Sequence, residues 1–226
     1  MTDTAPPQAS RPVRIDVVSD VVCPWCLIGK RRLEKALAMR PDIPAIVRFH
    51  PFFLNDWIPR EGIDRNEYLT AKFGSPERYR ELSGRVVEAA QTEGLVYAPD
   101  KISRQPNTLD CHRLIHWAGD EKGPAMKQRL LDLYFSEGAD LTDSGTLVKA
   151  AADIGLDPAT IHDRLAGDDD VELVSAAAER AKQSGVDGVP YFIFDSTFAV
   201  SGAQSPDYLV QAMEHALAQR KMAAAE

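Results

Sequence analysis

The sequence predicts an α/β fold in which a strand–helix–strand opening and a strand–strand–helix close share one small mixed sheet, with an all-helical segment inserted between them. Three observations carry that prediction. Val13–Ser19 (VRIDVVS) alternates apolar and polar residues and is β-branched, as a half-buried strand is. From Gly62 to about Gly167, five segments follow one another with helical apolar spacing. Near the end, the apolar Tyr191–Phe194 is followed by an Asp195-Ser196-Thr197 turn, a returning Phe198–Ser201 and an amphipathic Pro206–Lys221.

Each element has its own warrant. Met1 to Pro12 is rich in Pro, Ser, Thr and Ala and lacks an apolar centre, so a short disordered tail is expected there and not a secretory signal. After the first strand comes the loop Asp20–Val22, then Cys23-Pro24-Trp25-Cys26. From there to about Met39 the pattern is helical, with Cys26, Gly29, Leu33 and Leu37 three or four apart. Pro24 suits the first helical position, where a missing N–H costs nothing. Pro41 and Pro44 end the helix, and Ala45–Phe53 reads as a second strand, parallel to the first through a right-handed crossover. The helical segments are Asn66–Phe73, Glu77–Glu93, Asn107–Ala118, Ala125–Phe135 and Ser144–Ile154, with Gly and Pro at the joints and no β-rich interruption. A helix over about Asp170–Ser184 and a tight Gly185–Pro190 loop lead into the closing strands. Residues 13–61 and 168–221 are thus expected to form one discontinuous domain with helices on both faces of a four-stranded sheet. Residues 62–167 are expected to form the helical insertion.

Composition narrows the function. The chain has 226 residues, 44% of them hydrophobic, enough for a core, and a formal net charge of -8 with no Lys/Arg-rich block. Nucleic acid and anionic membrane surfaces are therefore poor partners, since both demand concentrated positive charge. No apolar run reaches the roughly 18 residues of a membrane-spanning helix. The three cysteines, Cys23, Cys26 and Cys111, are too few for a disulfide framework, and a cytoplasmic location is expected.

The Cys-x-x-Cys pair is where chemistry is expected. A thiol reacts as its thiolate, so a redox cysteine needs a lowered pKa. Cys23 sits where unpaired backbone N–H groups and the helix dipole favour negative charge. Cys26 lies one turn later, on the buried face with Leu33 and Leu37. Cys23 is therefore expected to be exposed and to attack, and Cys26 to close a disulfide and release the bound partner. Pro24 and Trp25 add stiffness and no charge, which predicts a less oxidising pair than a charged dipeptide would give. Half a zinc site is the bland alternative, but no second Cys-x-x-Cys or Cys-x-x-His supplies the remaining ligands. Strand, Cys-x-x-Cys and helix in that order are the context of a thioredoxin-like redox motif. Val189-Pro190, directly before an apolar strand, reads either as a trans proline at a strand start or as a cis proline facing the cysteines. In the second case Val189 could pair its backbone with an extended peptide.

These segments resemble the DsbA family, most closely its FrnE-type branch. The resemblance is carried by Ser19-Asp20-Val21-Val22-Cys23-Pro24-Trp25-Cys26 with Ile28-Gly29-Lys30-Arg31-Arg32, and by Asn107-Thr108 with His112-Arg113-Leu114. It continues in Gly185-Val186-Asp187-Gly188-Val189-Pro190 and Val200-Ser201-Gly202-Ala203-Gln204. It implies a thioredoxin-like fold with an inserted all-helical domain, Cys23 as nucleophile, Cys26 as resolving thiol and Val189-Pro190 as a cis-proline element. It also implies that Asn107 and His112 line the cleft from the helical side, and that disulfides in proteins or small thiols are the substrates. The chain departs from the family in carrying Cys111 where relatives tend to have Ala, and in lacking a second cysteine pair near its C-terminus.

Other residues have plainer readings. Cys111 shares helical spacing with Leu114, Ile115 and Ala118 and reads as a small core residue, a regulatory thiol being the alternative. His112 and His116 are too few to argue a metal; a donating His112 beside Cys23 would stabilise its thiolate. Asp20 reads as a solvated loop residue, with proton acceptor for Cys26 as the alternative. His50 reads as packed or paired, Trp57 with Phe52 and Phe53 as a substrate lip or as core, and Asp168–Asp170 as helix N-terminal charge. The function expected is thiol–disulfide exchange without a bound cofactor, glutathione being the candidate co-substrate that recycles the pair. The rivals are a glutathione-dependent isomerase of the 2-hydroxychromene-2-carboxylate type, or a homologue in polyketide biosynthesis, and a redox-regulated holdase. A homodimer is left open.

Overall fold

The computed structural model describes residues 11–223. Of the expected tail, residues 1–10 lie outside the described residues, and Arg11 and Pro12 are held: their carbonyls accept hydrogen bonds from Arg220 at 2.5 and 2.8 Å.

The sheet forms as the alternation dictates. Strand β1 (Val13–Ser19) pairs in parallel with β2 (Ala45–Pro51) and antiparallel with β5 (Tyr191–Phe194), which pairs with β6 (Phe198–Ser201), giving the order β2-β1-β5-β6. Val13, Ile15 and Val17 share one face with Phe192, Phe194 and Val200. That face is covered by Leu33 and Ala36 of α1 (Pro24–Met39) and by Leu209 and Met213 of α9 (Pro206–Ala223). Val18 points the other way, into a small cluster with Phe52 and Val186. Strand β2 ends at Pro51, two residues before the expected Phe53.

The intervening residues form α2 (Arg65–Phe73), α3 (Pro76–Leu82), α4 (Gly84–Thr92), α5 (Leu109–Asp132), α6 (Ser144–Asp153), α7 (Pro158–Ala166) and α8 (Val171–Gln183). Four corrections follow. The expected helix Glu77–Glu93 is broken at Ser83, whose hydroxyl bonds back to the Arg80 carbonyl at 3.1 Å just before helix-weakening Gly84. A short antiparallel ladder, β3 (Ile63–Asp64) with β4 (Arg104–Gln105), interrupts the helices where no strand was expected. Helix α7 was not foreseen; Pro158 opens it, and Asp157 caps it by accepting from the Thr160 N–H at 2.9 Å. The joint expected near Gly123 falls instead at Gly119, whose φ of 65° kinks α5.

Two apolar clusters meet at the start of α1. Val21, Val22 and Leu27 pack with Cys111, Leu114, Met126, Leu130 and Leu131 of α5, whereas Leu33 and Ala36, further along α1, pack on the sheet. Polar links fix the junction. Lys30 on α1 donates to Gln128 Oε1 on α5 at 2.8 Å, and Glu93, after α4, is bound by Arg32 and Lys35 at 2.7 and 2.6 Å. The cysteine pair thus sits where both clusters constrain it.

Candidate active site

Cys23 is the N-cap residue of α1, with extended backbone (φ −92°, ψ 113°), and Pro24 follows as the first helical residue, as its missing N–H allows. The Cys23 carbonyl closes the first turn by accepting from the Cys26 and Leu27 N–H groups at 3.0 and 3.3 Å. Cys26 is 2% exposed, as its place on the apolar face requires, but Cys23 is only 4% exposed, against the expectation of an open thiol. The side chain presented to solvent is Trp25, at 36% exposure. Cys23 is covered because the loop before β5 folds over it: its thiol donates to the Val189 carbonyl at 3.5 Å.

The two thiols are electrostatically unequal. A hydrogen bond from the Cys26 thiol is the largest influence on Cys23 and lowers its pKa. Burial opposes this, the backbone N–H groups of Cys26 and Trp25 add to it, and the net direction is downward. Burial pushes the Cys26 thiol well up, and the neighbouring Cys23 pushes it further. The first therefore ionises more readily than the second.

The Val189-Pro190 peptide bond is cis, which decides between the two readings of that dipeptide. The Pro190 ring lies directly on α1. A Cβ added to Gly29 would stand 2.7 Å from Pro190 Cγ and 3.3 Å from Phe192 Cζ, so the contact exists because Gly29 has no side chain.

Asp20 is wholly buried, and its reading as a solvated loop residue is corrected. Its carboxylate accepts from the Val21 N–H at 2.7 Å, the Leu54 N–H at 2.9 Å and His112 Nε2 at 3.2 Å. Burial alone would raise this carboxyl; the His112 and Leu54 hydrogen bonds outweigh it and hold the pKa below its ordinary value. Burial lowers the pKa of His112 despite Asp20 beside it. A neutral imidazole donating from Nε2 to an ionised carboxylate satisfies both directions. His112 is 3% exposed and edge-on to Phe53, and its bond goes to Asp20 and not to Cys23.

Asn107 lines a cavity with Phe53 and Asn55, and its side chain is also tied to the backbone. Its Nδ2 donates to the Ile58 carbonyl at 2.7 Å and its Oδ1 accepts from the Leu109 N–H at 3.0 Å, so it pins the loop at the start of α5. Cys111 is fully buried with its thiol pKa raised by burial, as a core residue should be. His50 pairs with Asp16 at 2.9 Å, and Asp170 accepts from Trp117 Nε1 at 2.8 Å and Arg164 at 2.9 Å. Phe52 is core; Trp57 is half exposed and stacks on Tyr68.

The sequence reading missed three polar residues. Asn55 is buried, with Oδ1 accepting from Lys72 and Tyr68 and Nδ2 unbonded. Lys72 is close enough for the charge of Cys23 to act on it. Lys127 is wholly buried with no hydrogen-bond partner for its amine. The available signal for Lys127 was its place next to Met126 and one turn before Leu130 and Leu131, the apolar side of that stretch of α5. Among the described residues, no three His, Cys, Asp or Glu side chains gather as a metal site requires.

Comparison with known proteins agrees with this geometry. Residues 14–214 match the model of the DSBA-like thioredoxin domain. The crystal structure of the probable DsbA oxidoreductase SCO1869 from Streptomyces coelicolor is similar at 32% identity and a TM-score of 0.80, over 90% of this chain and 89% of that one. The protein YwbO of Bacillus subtilis (strain 168) is 25% identical over 203 residues, 89% of this chain and 96% of that protein. The cytosolic disulfide reductase DsbM from Pseudomonas aeruginosa, solved with GSH, shares the fold at a TM-score of 0.60 and 18% identity, covering 94% of this chain and 100% of that one. A parallel β1–β2 pair, two unequal cysteines opening α1 and a cis proline against that helix are thus set in a matched frame of 201 residues, and the chain belongs to the DsbA-like thioredoxin-domain family of thiol oxidoreductases.

Proposed function

We propose that the protein exchanges disulfides through Cys23 and Cys26. The Cys23 thiolate attacks a substrate disulfide and forms a mixed disulfide. Cys26 then attacks Cys23, closing the Cys23–Cys26 bond and releasing the substrate as a thiol; the reverse sequence oxidises substrates. The observation that carries this is geometric: two free thiols three residues apart at the start of one helix, with the Val189 carbonyl of a cis Val189-Pro190 bond on Cys23. The Val189 backbone beside Cys23 supports docking of an extended peptide, with Pro190 holding that backbone on α1 and Pro24 and exposed Trp25 forming the near rim.

Glutathione is the small thiol we favour as co-substrate. The DsbM structure holds it in the same fold, and Lys72 with the unbonded Asn55 amide offers polar donors on the approach to Cys23. The isomerase reading is weaker, because that chemistry activates glutathione's own thiolate and typically has Ser where this chain has Cys23. A FrnE-type role in the cytoplasm and the division into residues 13–61 with 168–221 and an insertion over 62–167 belong to the same proposal. The two apolar clusters support the division. No helix among the described residues is long and apolar enough to cross a membrane.

The test is trapping with glutathione disulfide, read by mass spectrometry. Cys26→Ser should accumulate a Cys23–glutathione adduct, Cys23→Ser should form none, and the parent should pass through the adduct to an intramolecular disulfide. No adduct on Cys26→Ser would refute the exchange mechanism.

A further inference from the structure

Two residues of α1 hold the Val189-Pro190 loop in place. Gly29 lets the Pro190 ring lie on the helix. Arg32, three residues later and so on the same face, grips the backbone on the other side of that ring. We propose that Arg32, anchored by Glu93, is a positioning residue for the exchange reaction: it fixes the backbone of residues 202–203, and through it the Val189-Pro190 edge on which a substrate docks. The inference rests on the exchange reading above.

A chain of contacts runs from α4 to the attacking sulfur. Glu93, just after α4, accepts from Arg32 Nε at 2.7 Å and from Lys35 Nζ at 2.6 Å. Arg32 Nη1 donates to the Ala203 carbonyl at 2.6 Å. The N–H of the preceding Gly202 donates to the Pro190 carbonyl at 2.8 Å, and the Val189 carbonyl accepts from the Cys23 thiol at 3.5 Å. Gly202, with a φ of 80°, turns the chain out of the sheet directly after β6. Among the described residues, the other hydrogen bonds of residues 202–204 go to Pro190 or stay within the loop, where Gln204 bonds Gly202 and Ser201. Arg32 is therefore what ties this loop to α1.

The residue types suit the task. A guanidinium is a rigid planar fork, so Nε can hold a carboxylate while Nη1 holds a carbonyl at a set angle. Both bonds are charge-assisted, the stronger kind. The Glu93 side chain is 6% exposed and that of Arg32 20%, so water competes little for either bond. Lys35 occupies the second oxygen of Glu93 and fixes the carboxylate in turn. Arg32 is thus held from behind by Glu93 while it holds Ala203 in front. Gly29 seats the Pro190 ring and Arg32 seats the strand end bonded to the Pro190 carbonyl, so one face of α1 sets the docking edge from both sides. An extended peptide or glutathione strand pairing with Val189 needs that edge at a fixed distance from the Cys23 sulfur.

The test separates docking from thiol reactivity. Forming the Cys23 adduct with glutathione disulfide needs the docking edge; alkylation by iodoacetamide needs only the Cys23 thiolate. Both rates are read at one pH, by mass spectrometry of the Cys23 peptide, in the full chain carrying Cys26→Ser with and without Arg32→Gln. Lys35 still pairs with Glu93 in Arg32→Gln, so no buried carboxylate is orphaned and the variant is expected to fold. Misplacement by about an ångström can slow chemistry about 100-fold, and Gly29 still seats the Pro190 ring, so Arg32→Gln should slow adduct formation by about 10-fold while alkylation stays within about threefold. A merely structural Arg32 would alter unfolding and leave the ratio of the two rates alone. Adduct formation at the unsubstituted rate would overturn the proposal, and so would an equal fall in both rates. Glu93→Gln added to Arg32→Gln should slow the adduct no further, because Glu93 acts through Arg32; additive losses would overturn that anchoring. Absence of any adduct when Arg32 is intact would overturn the exchange reading itself. If Arg32→Gln folds poorly, Glu93→Gln alone should still slow adduct formation more than alkylation, and unchanged rates there would overturn the proposal.

Discussion

Gly29→Ala tests whether α1 and Pro190 must touch. In an ordinary helix interior this change is favourable by about 1 kcal/mol, since alanine restricts the unfolded chain and suits the helix. At Gly29 the new methyl would sit 2.7 Å from Pro190 Cγ, so the ring must retreat by about 0.7 Å to reach the ordinary contact of 3.4 Å. Overpacking of this kind costs about 1–3 kcal/mol, giving a net loss of up to about 2 kcal/mol. The retreat carries Val189 with it and lengthens the 3.5 Å contact between Cys23 and the Val189 carbonyl. Misplacement by about an ångström can slow chemistry about 100-fold, so the Cys23 adduct with glutathione disulfide should form about 10-fold more slowly. Gly84→Ala is the control: Gly84 is in α4, and a Cβ there meets nothing within 4 Å. Denaturant unfolding of both variants, beside adduct kinetics, separates the cases. If Gly29→Ala gains stability as Gly84→Ala does and keeps the parent's rate, the reasoning fails.

Three further perturbations follow from the buried polar groups. Asp20→Asn puts an amide where three N–H groups converge, leaving at least one donor unpaired, and should cost about 1–3 kcal/mol in urea unfolding. It also removes the negative charge that raises the Cys23 pKa, so alkylation of Cys23 should shift to lower pH. Because His112 is held below its ordinary 6.5 in the folded chain, the unfolded chain binds that proton first. Stability of the parent should therefore be full above about pH 6.5 and decline on acidification, with a second loss as pH falls through the depressed pKa of Asp20. A melting profile flat from pH 7 to 5 would contradict this. Arg113→Lys should destabilise by about 3–5 kcal/mol, since the guanidinium is fully buried and donates to Asp110 and to the Asp169, Arg164 and Gly167 carbonyls, a fan that an ammonium cannot reproduce.

How far the sequence reads into the structure depends on whether the signal is local. Alternation in Val13–Ser19, the Pro24 start of α1 and the Asp195–Thr197 turn are properties of a few adjacent residues, and all three stand as read. Pairing across the chain was not legible. Asp20 looks like any loop aspartate until Leu54 and His112, 34 and 92 residues away, are placed against it. The exposure of Cys23 was misjudged for the same reason: its cover is Val189, 166 residues on. Asn107 was assigned to the cleft through family resemblance, and its side chain is spent on Ile58 and Leu109. Lys127 escaped because a lysine in an amphipathic helix is read by default as surface, and only the packing of its face of α5, with Met126, Leu130 and Leu131 buried beside it, contradicts that.

The arrangement of buried charge explains why two chemically identical thiols differ. Asp20 is ionised beneath the pair, and its charge alone would raise the Cys23 pKa. The helix start offsets it. Cys23 lies at the helix start, where the Cys26 thiol and the N–H groups of Cys26 and Trp25 converge on its sulfur, a benefit Cys26 cannot share because it is already inside the first turn. On Cys26, burial and the neighbouring Cys23 raise the pKa, and the charge of Lys127 opposes them only in part. The helix start thus selects which thiol attacks. Changes around Gly29 and Pro190, which hold the Val189 carbonyl over Cys23, therefore act first on formation of the mixed disulfide and not on its resolution.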